Sequence, residues 1–544
     1  MAMGMPYGLQ SMLKEGHKHL SGLEEAVLKN IEACKQLAQI TRTSMGPNGM
    51  NKMVINHLEK LFVTSDASTI TAELEVQHPA AKLLVMAAQA QQQEIGDGTN
   101  MVLSFAGELL ANAEPLLRDG LHPTEIADGY AKAGAKALEI LDTLVVAGTD
   151  TLDVRDAAAV AQRIKGSVSS KQYGYEDLLA PIIAEACIDV VPKNPHNFNV
   201  DNVRVVKING GGLHDSHVVK GMVLKRGVEG SISRVADGKV AVYAQGVDTS
   251  STETKGTVLI RSAEELEGYS RSEENRIEEI IKSIADAGVK VVVGHQAFGE
   301  MALHFLEKYG VMAVKIPSKF DLRRFCRATG AKALVKLQAP QADELGFAKQ
   351  LVEQEIGGTK CIVLQQDSSL GNISTVVLRG STDQMLDDVE RAVDDGVNSY
   401  KLLGKDARAV PAGGATEIEI ARQLQQFGRK ETGLDQYAIM KYAEALEVVP
   451  RTIAENSGLS ATDALAALYS AHAGGQAAAG LDVETGEARD LGAGAVYDLR
   501  STKWWALKLA TDAAVTVLRI DQIIMAKMAG GPKPRAGGAM DDED

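Results

Sequence analysis

The sequence predicts a multidomain α+β protein in which helix-rich segments at the two chain ends flank a mixed middle. Length is the first reason: 544 residues exceed what one apolar core can fill, so two to four domains are expected. The second is periodicity. From Leu23 to about Leu141, segments such as GLEEAVLKNIEACKQLAQITRTS and HPAAKLLVMAAQAQQQ place apolar residues three and four apart, the spacing of one helix face. The third is a change of texture from about Val203. VRVVKI, KVVVG, GVMAVKI, KALVKL, CIVLQQ and STVVLRG are short β-branched runs, with helical stretches such as ENRIEEIIKSIADAG and QAFGEMALHFLEKYG between several of them.

From about Thr416 the helical period returns in ATEIEIARQLQQF, LDQYAIMKYAEALEVVPRTIAEN, ATDALAALYSAH and STKWWALKLATDAAVTVLRIDQII. One economical arrangement is a helical domain formed by both chain ends with an α/β domain inserted; separate helical domains are equally open on this argument. The tail GGPKPRAGGAMDDED has almost nothing to bury and is expected to be disordered.

Lys and Arg number 57 against 72 Asp and Glu, a formal net charge of −15, which argues against a general nucleic-acid binder. Only 4% of residues are aromatic, too few for base-stacking platforms. Cys34, Cys187, Cys326 and Cys361 are far apart with no CxxC pair, so neither a zinc site nor a disulfide framework is expected, and a reducing compartment such as the cytoplasm fits. MAMGMPYGLQSMLKEGHKHL has no apolar signal core, and the uncharged stretch Ala464 to Leu481 is too weakly apolar to span a bilayer. No membrane partner is expected.

EIGDGTNMVLSFAGELL, from Glu94 to Leu110, opens an amphipathic helix with two glycines around Asp97. Asp, Thr and Asn all cap helices, so this turn reads as a cap. Caps outnumber ligand sites for such a motif, but it also permits a phosphate site, because unpaired N–H groups at a helix start bind phosphate oxygens and glycine lets them approach. A carboxylate beside a phosphate then needs a cation between them, and Mg²⁺ is the usual bridge. Four other stretches are individually ordinary. TSMGPNGMNKM (Thr43–Met53) reads as a turn, VTSDASTI (Val63–Ile70) as an Asx turn around Asp66, and VPAGGATEIEI (Val410–Ile420) as a glycine-rich loop opening a helix. VERAVDDGVNS (Val389–Ser399) places Asp394 and Asp395 on a helical, acidic face.

Together these stretches resemble the chaperonins of the group found in archaea and the eukaryotic cytosol, group II. The family patterns TSxGPxGxxKM, TNDGATI, GDGTT, LRG followed by ERxxxDA, and VPGGGATE correspond to Thr43–Met53, Thr64–Ile70, Gly96–Asn100, Leu378–Gly380 with Glu390–Gly396, and Val410–Glu417. The block GLDVETGEARDLGAGAVYDLRSTKWWALKLATDAAVTVLRIDQII resembles the family's C-terminal end, so the likeness covers nearly the whole chain.

The resemblance implies an equatorial ATP-binding domain from both chain ends (1–147 and 405–544), a hinge-like intermediate domain (148–215 and 372–404) and an apical α/β domain (216–371). A lid protrusion is expected at about 247–284. It also implies ATP/ADP and Mg²⁺ as ligands, paralogous subunits in a stacked double ring as partners, and non-native proteins as clients. By similarity, Asp97 holds Mg²⁺ while Gly98, Thr99 and Asn100 hold phosphates. Met45, Gly46 and Pro47 shape a nucleotide loop, and Gly413 and Gly414 contact the nucleotide. Asp498 holds the ribose or base, and Lys171 senses the γ-phosphate. Asp66 and Asp395 flank the attacking water, with Asp395 as base. Client contact is expected on the polar face of a helix from Gln296 to Lys308, with Phe298, Met301, Ala302 and Phe305 packed on the sheet.

Three departures stand out: TNDGATI is TSDASTI here, GDGTT is GDGTN, and GGGA is AGGA. Ala67, Ser68, Asn100 and Ala412 therefore replace family residues, and the two alanines are expected to crowd the phosphate site. A subunit that binds nucleotide and clients but hydrolyses little is the alternative. A free-standing Mg²⁺-dependent phosphotransferase is a further rival, against which stands the lack of a GxxxxGK[ST] loop or kinase signature set.

Overall fold

The structure is a computed structural model that describes residues 19–20, 23–248, 262–367, 373–494 and 496–524. Both chain ends build one helical core. Helices Leu23–Arg42, Pro79–Glu94, Thr99–Arg118 and Pro123–Thr143 pack with Ala415–Gly428, Asp435–Leu446 and Arg500–Leu518. Val102, Phe105, Ala106, Leu109, Leu110 and Ala113 form the buried stripe of the third helix, at the helical spacing seen in the sequence. Tyr442 from the C-terminal half meets Phe105 and Tyr130 edge to face, with centroids at 5.4 and 5.8 Å. Buried hydroxyls need partners, and each tyrosine has one: Tyr130 donates to the Leu109 carbonyl and Tyr442 pairs with Thr511.

Lys52–Ile55 and Leu61–Thr64 form an antiparallel hairpin inside a stretch that reads as mostly helical. Met53 and Ile55 are exposed on it.

A second core gathers helices Ala157–Ser169, Glu176–Asp189 and Asp383–Leu403 against strands Val203–Asn209 and Ser374–Gly380. Those strands begin a nine-stranded mixed sheet. Its order continues through His217–Leu224, Thr359–Gln365, Gly346–Ile356, Arg234–Tyr243, Val289–Gly294 and Met312–Lys315, with Ala333–Leu334 beside Arg234–Tyr243. The strand His217–Leu224 changes partner midway: His217–Lys220 pair with Ser374–Val377, and Gly221–Leu224 with Ile362–Gln365. Gly221 sits at the change with φ +132°, and a Cβ there would lie 2.0 Å from the Leu364 carbonyl oxygen, so only glycine fits.

Pleating sorts side chains to the two faces of this sheet. Val240, Val242, Val291 and Val293 pack with Leu322 and Phe325 of helix Lys319–Thr329. Ala241, Tyr243 and Val292 pack with Ile277, Ile281 and Ile284 of helix Ala263–Asp286 and with Phe305 of helix Glu300–Lys308.

Several expectations change. KALVKL supplies only the two-residue strand Ala333–Leu334. Strands 217–224, 234–243 and 346–356 escape the reading because glycines and charged residues interrupt their apolar runs. The helix expected from Gln296 begins at Glu300, and Met301 is 39% exposed on it, because the buried stripe is Ala302, Phe305 and Leu306. Of the expected protrusion, 249–261 lie outside the described residues, and helix Ala263–Asp286 takes up most of the rest. The C-terminal tail also lies outside them.

Candidate functional site

Three turns of the helical core carry the residues that the sequence singles out, and the second core meets the first of these turns at Asp97. In the first, Gly98 adopts φ +79° at the N-cap of Thr99–Arg118, which leaves the first N–H groups of that helix without intrahelical partners. Asp97 sits at this mouth. Its Oδ1 accepts from the Gly98 N–H at 2.6 Å and its backbone carbonyl accepts from the Gln91 side chain at 2.8 Å. Thr99 is buried beside it. The Asn100 side chain turns away: its amide donates to the Thr41 carbonyl at 3.0 Å and accepts from Ser104 at 3.1 Å. Asn100 thus ties the helix to the end of Leu23–Arg42, which leaves its backbone N–H as the group at the helix mouth.

The second turn follows Leu23–Arg42. Gly46 has φ +83°, and Asn456, from the far end of the chain, donates to the carbonyls of Arg42 and buried Met45 at 3.2 and 2.8 Å. Pro47 follows in the same turn. In the third, Gly413 and Gly414 take φ +62° and +79°, and Gly414 caps Ala415–Gly428. Asp498 lies opposite Val410 in the pairing of Tyr497–Leu499 with Ala409–Pro411. Its Oδ2 meets buried Lys503 Nζ at 2.9 Å, and Lys503 also bonds Glu417. Burial works against the lysine's charge, but Asp498 and Glu417 outweigh it and hold its pKa above the ordinary value.

Asp66 caps the short helix Ala67–Glu73, accepting from the Thr69 N–H at 3.0 Å and its hydroxyl at 2.7 Å. Its other oxygen meets Lys171 Nζ at 3.1 Å, and the same Nζ lies 2.6 Å from Asp395 Oδ2. Lys171 and Asp395 belong to the second core region, following helix Ala157–Ser169 and within helix Asp383–Leu403, whereas Asp66 belongs to the first. A cleft of about 360 Å³ opens here, lined by Asp66, Ser68, Thr69, Lys171 and Asp395 and also by Lys207 and Arg391. Asp394, the neighbour of Asp395, also lines the cleft and is exposed, while Asp395 is 2% exposed.

The charges are unbalanced. Three carboxylates, Asp66, Asp97 and Asp395, share one ammonium. Burial pushes Asp395 well above the usual carboxylate range, Lys171 opposes that, and Asp97 and Asp66 add to it. Burial likewise raises Asp97 against the pull of Lys171 and the Ser167 and Gly98 bonds. Asp66 is also penalised by burial, but Lys171 and the Thr69 bonds hold it below its ordinary value. Lys171 is raised: burial disfavours its charge, and Asp395 and Asp66 more than compensate. Surplus negative charge and hard oxygen donors suit a divalent cation. Among the described residues no three His, Cys, Asp or Glu side chains converge to hold a metal by themselves. Mg²⁺ commonly takes one or two carboxylates and completes its shell with phosphate and water.

Several residues here carry no sequence signal. Ser167 donates to Asp97 Oδ2 at 2.9 Å. Asp388 accepts from Thr64 at 3.1 Å and Gln172 at 2.9 Å, a second link between the two cores. Lys503 holds Asp498, and is itself paired with Glu417, from a helix pattern that reads as plain amphipathic.

The TCP-1/cpn60 chaperonin family matches residues 37–528. T-complex protein 1 subunit theta of Arabidopsis thaliana is 59% identical over 542 residues, 99% of each chain. The protein of that name from Homo sapiens is 53% identical over 548 residues, all of both chains. The one from Dictyostelium discoideum is 52% identical over 537 residues, 99% of this chain and all of the relative. A match over this length, on a fold that brings both chain ends together around the Asp97 helix, identifies the chain as a member of the TCP-1/cpn60 chaperonin family.

Proposed function

We propose that this chain is an ATP-hydrolysing, theta-type subunit of a cytosolic chaperonin double ring that encloses non-native proteins and couples hydrolysis to lid closure. In this reading residues 1–147 and 405–544 are the equatorial unit, 148–215 and 372–404 the intermediate unit, and 216–371 the apical unit. The observation that carries it is the Lys171 bridge. One lysine joins Asp66 of the helical core to Asp395 of the hinge unit, within reach of the charge of Asp97 at the helix mouth.

The residues divide the work. The N–H groups of Thr99 and Asn100 would receive phosphate oxygens, while Gly98, whose own N–H is held by Asp97 Oδ1, lets the backbone approach. Gly46 and Gly413–Gly414 bring backbone close to the nucleotide, and Asp498, fixed by Lys503, lies on the ribose side. Asp97 would hold Mg²⁺, which supplies charge neutralisation for the phosphates. Asp395, its proton affinity raised by burial, takes the proton of the attacking water, and Asp66 orients that water. Lys171 would turn from the carboxylates to the terminal phosphate. Positioning and charge stabilisation are most of what phosphoryl transfer needs. Because Asp395 and Lys171 ride on the hinge unit, hydrolysis waits for that unit to close on the core. The exposed hairpin Lys52–Ile55/Leu61–Thr64, with Met53, Ile55, Leu58 and Leu61 open to solvent, supports contact with a ring neighbour.

The test is single-turnover cleavage read for this subunit alone in the assembled particle, since neighbours would mask a loss in bulk rates. Asp395→Ala should leave ATP bound and slow cleavage by about 10²–10⁴-fold. Wild-type turnover in that variant would remove Asp395 from the role of base. The second reading, a subunit that binds but hydrolyses little, is favoured by the 2.6 Å Lys171–Asp395 contact, because a carboxylate held by an ammonium is a poorer base. Negligible single turnover in the unaltered subunit would establish that reading instead.

A further inference from the structure

Helix Ala157–Ser169 of the hinge unit lies along the nucleotide side of the helical core and meets it at successive turns. The Arg163 guanidinium lies 4.7 Å from the centroid of the Tyr497 ring, one residue before Asp498. A turn later the helix comes so close that a Cβ on Gly166 would stand 2.6 Å from the Tyr497 carbonyl oxygen. The next residue, Ser167, donates its hydroxyl to Asp97 Oδ2 at 2.9 Å. Lys171 then reaches Asp66 and Asp395. With Gly166 against the backbone of Tyr497, Ser167 has little freedom to sit elsewhere. Asp97 is consequently gripped on both oxygens by groups from different parts of the fold: Oδ1 by the Gly98 N–H of its own turn and Oδ2 by the hinge helix.

We propose that Ser167 is a positioning residue for the metal-binding carboxylate, and that its hydroxyl carries closure of the hinge helix to Asp97. A carboxylate at a helix mouth can rotate about its side-chain bonds. A hydroxyl donor on one oxygen fixes its plane and leaves the remaining lone pairs aimed for a cation, which is how outer partners tune metal ligands. With the hinge unit drawn away the donor leaves, and Asp97 loses its fixed orientation together with the base on Asp395. Metal capture and water activation are then tied to one movement of one helix. The inference rests on reading this site as a Mg-nucleotide site.

The experiment titrates Mg²⁺ against labelling of this chain by a photoreactive ATP analogue, in the particle into which the full chain assembles. Loss of an outer partner typically costs 10–100-fold in metal affinity. Ser167→Ala should therefore raise the Mg²⁺ concentration for half-maximal labelling by about that factor, while labelling in excess chelator stays at the wild-type level. Ser167→Thr, which keeps the hydroxyl, should restore the wild-type Mg²⁺ midpoint. A residue that merely packs the helix would shift labelling with and without Mg²⁺ alike, and that result overturns the proposal. So does an unchanged midpoint in Ser167→Ala. If the unaltered chain shows no Mg²⁺-dependent labelling, the nucleotide-site reading itself fails; normal dependence in both wild type and Ser167→Ala overturns the role of Ser167 alone.

Discussion

Lys171 Nζ lies 2.6 Å from Asp395 Oδ2 and 3.1 Å from Asp66 Oδ1, with the three side chains 10%, 3% and 7% exposed. The contact joins the two cores through one buried ammonium. Removing one member of such a group leaves uncompensated charge in a poorly solvated place, which typically costs about 3–5 kcal/mol.

Lys171→Met should accordingly destabilise the nucleotide-free protein by up to about that amount, with a definite pH dependence. Burial already raises Asp395 above its unfolded value, and losing Lys171 raises it further. A carboxyl with a raised folded pKa favours folding when protonated, so its contribution is lost as pH rises through the folded value. The melting-temperature deficit of Lys171→Met against wild type should widen as pH rises, measured as a pH series of paired melts. A deficit that shrinks with rising pH would mean that Asp395 does not carry the uncompensated charge.

Ala67 and Ala412 bear on the crowding expected from their replacement of glycine. Ala67 is 1% exposed and its methyl belongs to the helical core, at the first position of the helix that Asp66 caps. Ala412 is 7% exposed. Neither has a positive φ, whereas Gly413 and Gly414 both do, so the chain keeps glycine where the backbone requires it. Ala67→Gly should lower stability by roughly 1 kcal/mol through lost helix propensity, plus a smaller loss of burial. Ala67→Gly with Ala412→Gly should not tighten nucleotide binding. Melting curves and nucleotide titration of the double variant check both halves, and a gain in affinity would show that the two alanines crowd the site.

Glu419 offers an acid-side test. It lies within helix Ala415–Gly428, beyond the Gly413–Gly414 turn, and its Oε2 lies 2.9 Å from buried His472 Nδ1. The other ring nitrogen of His472 faces the Ala479 carbonyl at 2.8 Å, and Leu481, two residues on, donates to the Gly413 carbonyl at 2.9 Å. Burial disfavours the Glu419 charge, but bonds from His472, Arg422 and Gln423 outweigh it and hold the carboxyl down to about 2. A depressed folded pKa stabilises above the unfolded value, near 4.5, and that contribution is lost as pH falls towards about 2. Glu419→Gln should be less stable than wild type at pH 7, with the gap closing below about pH 4.5. Denaturant midpoints of the two proteins across that range are the measurement, and a gap that stays constant would contradict the assignment.

Much was determined by the sequence alone. Helical and β-branched periodicities marked a mixed fold with helical ends, because apolar spacing follows directly from the geometry of each element. The glycines at 98, 413 and 414 and the carboxylates at 66, 97 and 395 stood out because turns and helix mouths need those residue types. Family resemblance then assigned them roles. The hairpin at 52–64 and three sheet strands escaped, since glycines and charged residues broke their alternation while neighbouring strands supplied the burial.

Only the tertiary structure decided what depends on distant segments meeting. Lys171, an ordinary loop lysine in sequence, is buried because Asp66, 105 residues away, and Asp395 close around it. Asp395 points inward and Asp394 outward because one helical residue turns the side chain by roughly 100° relative to a neighbouring surface set by packing. The Asn100 side chain turns to the Thr41 carbonyl, an acceptor in the last turn of another helix that also takes the Ser44 N–H. Ser167 faces Asp97 because Gly166 lets two backbones approach. Local pattern fixes which residues can cap, turn or ionise. Which of them share an ion, a proton or a hydrogen bond is set by long-range packing, where burial and charge compensation are summed over neighbours that the sequence does not place side by side.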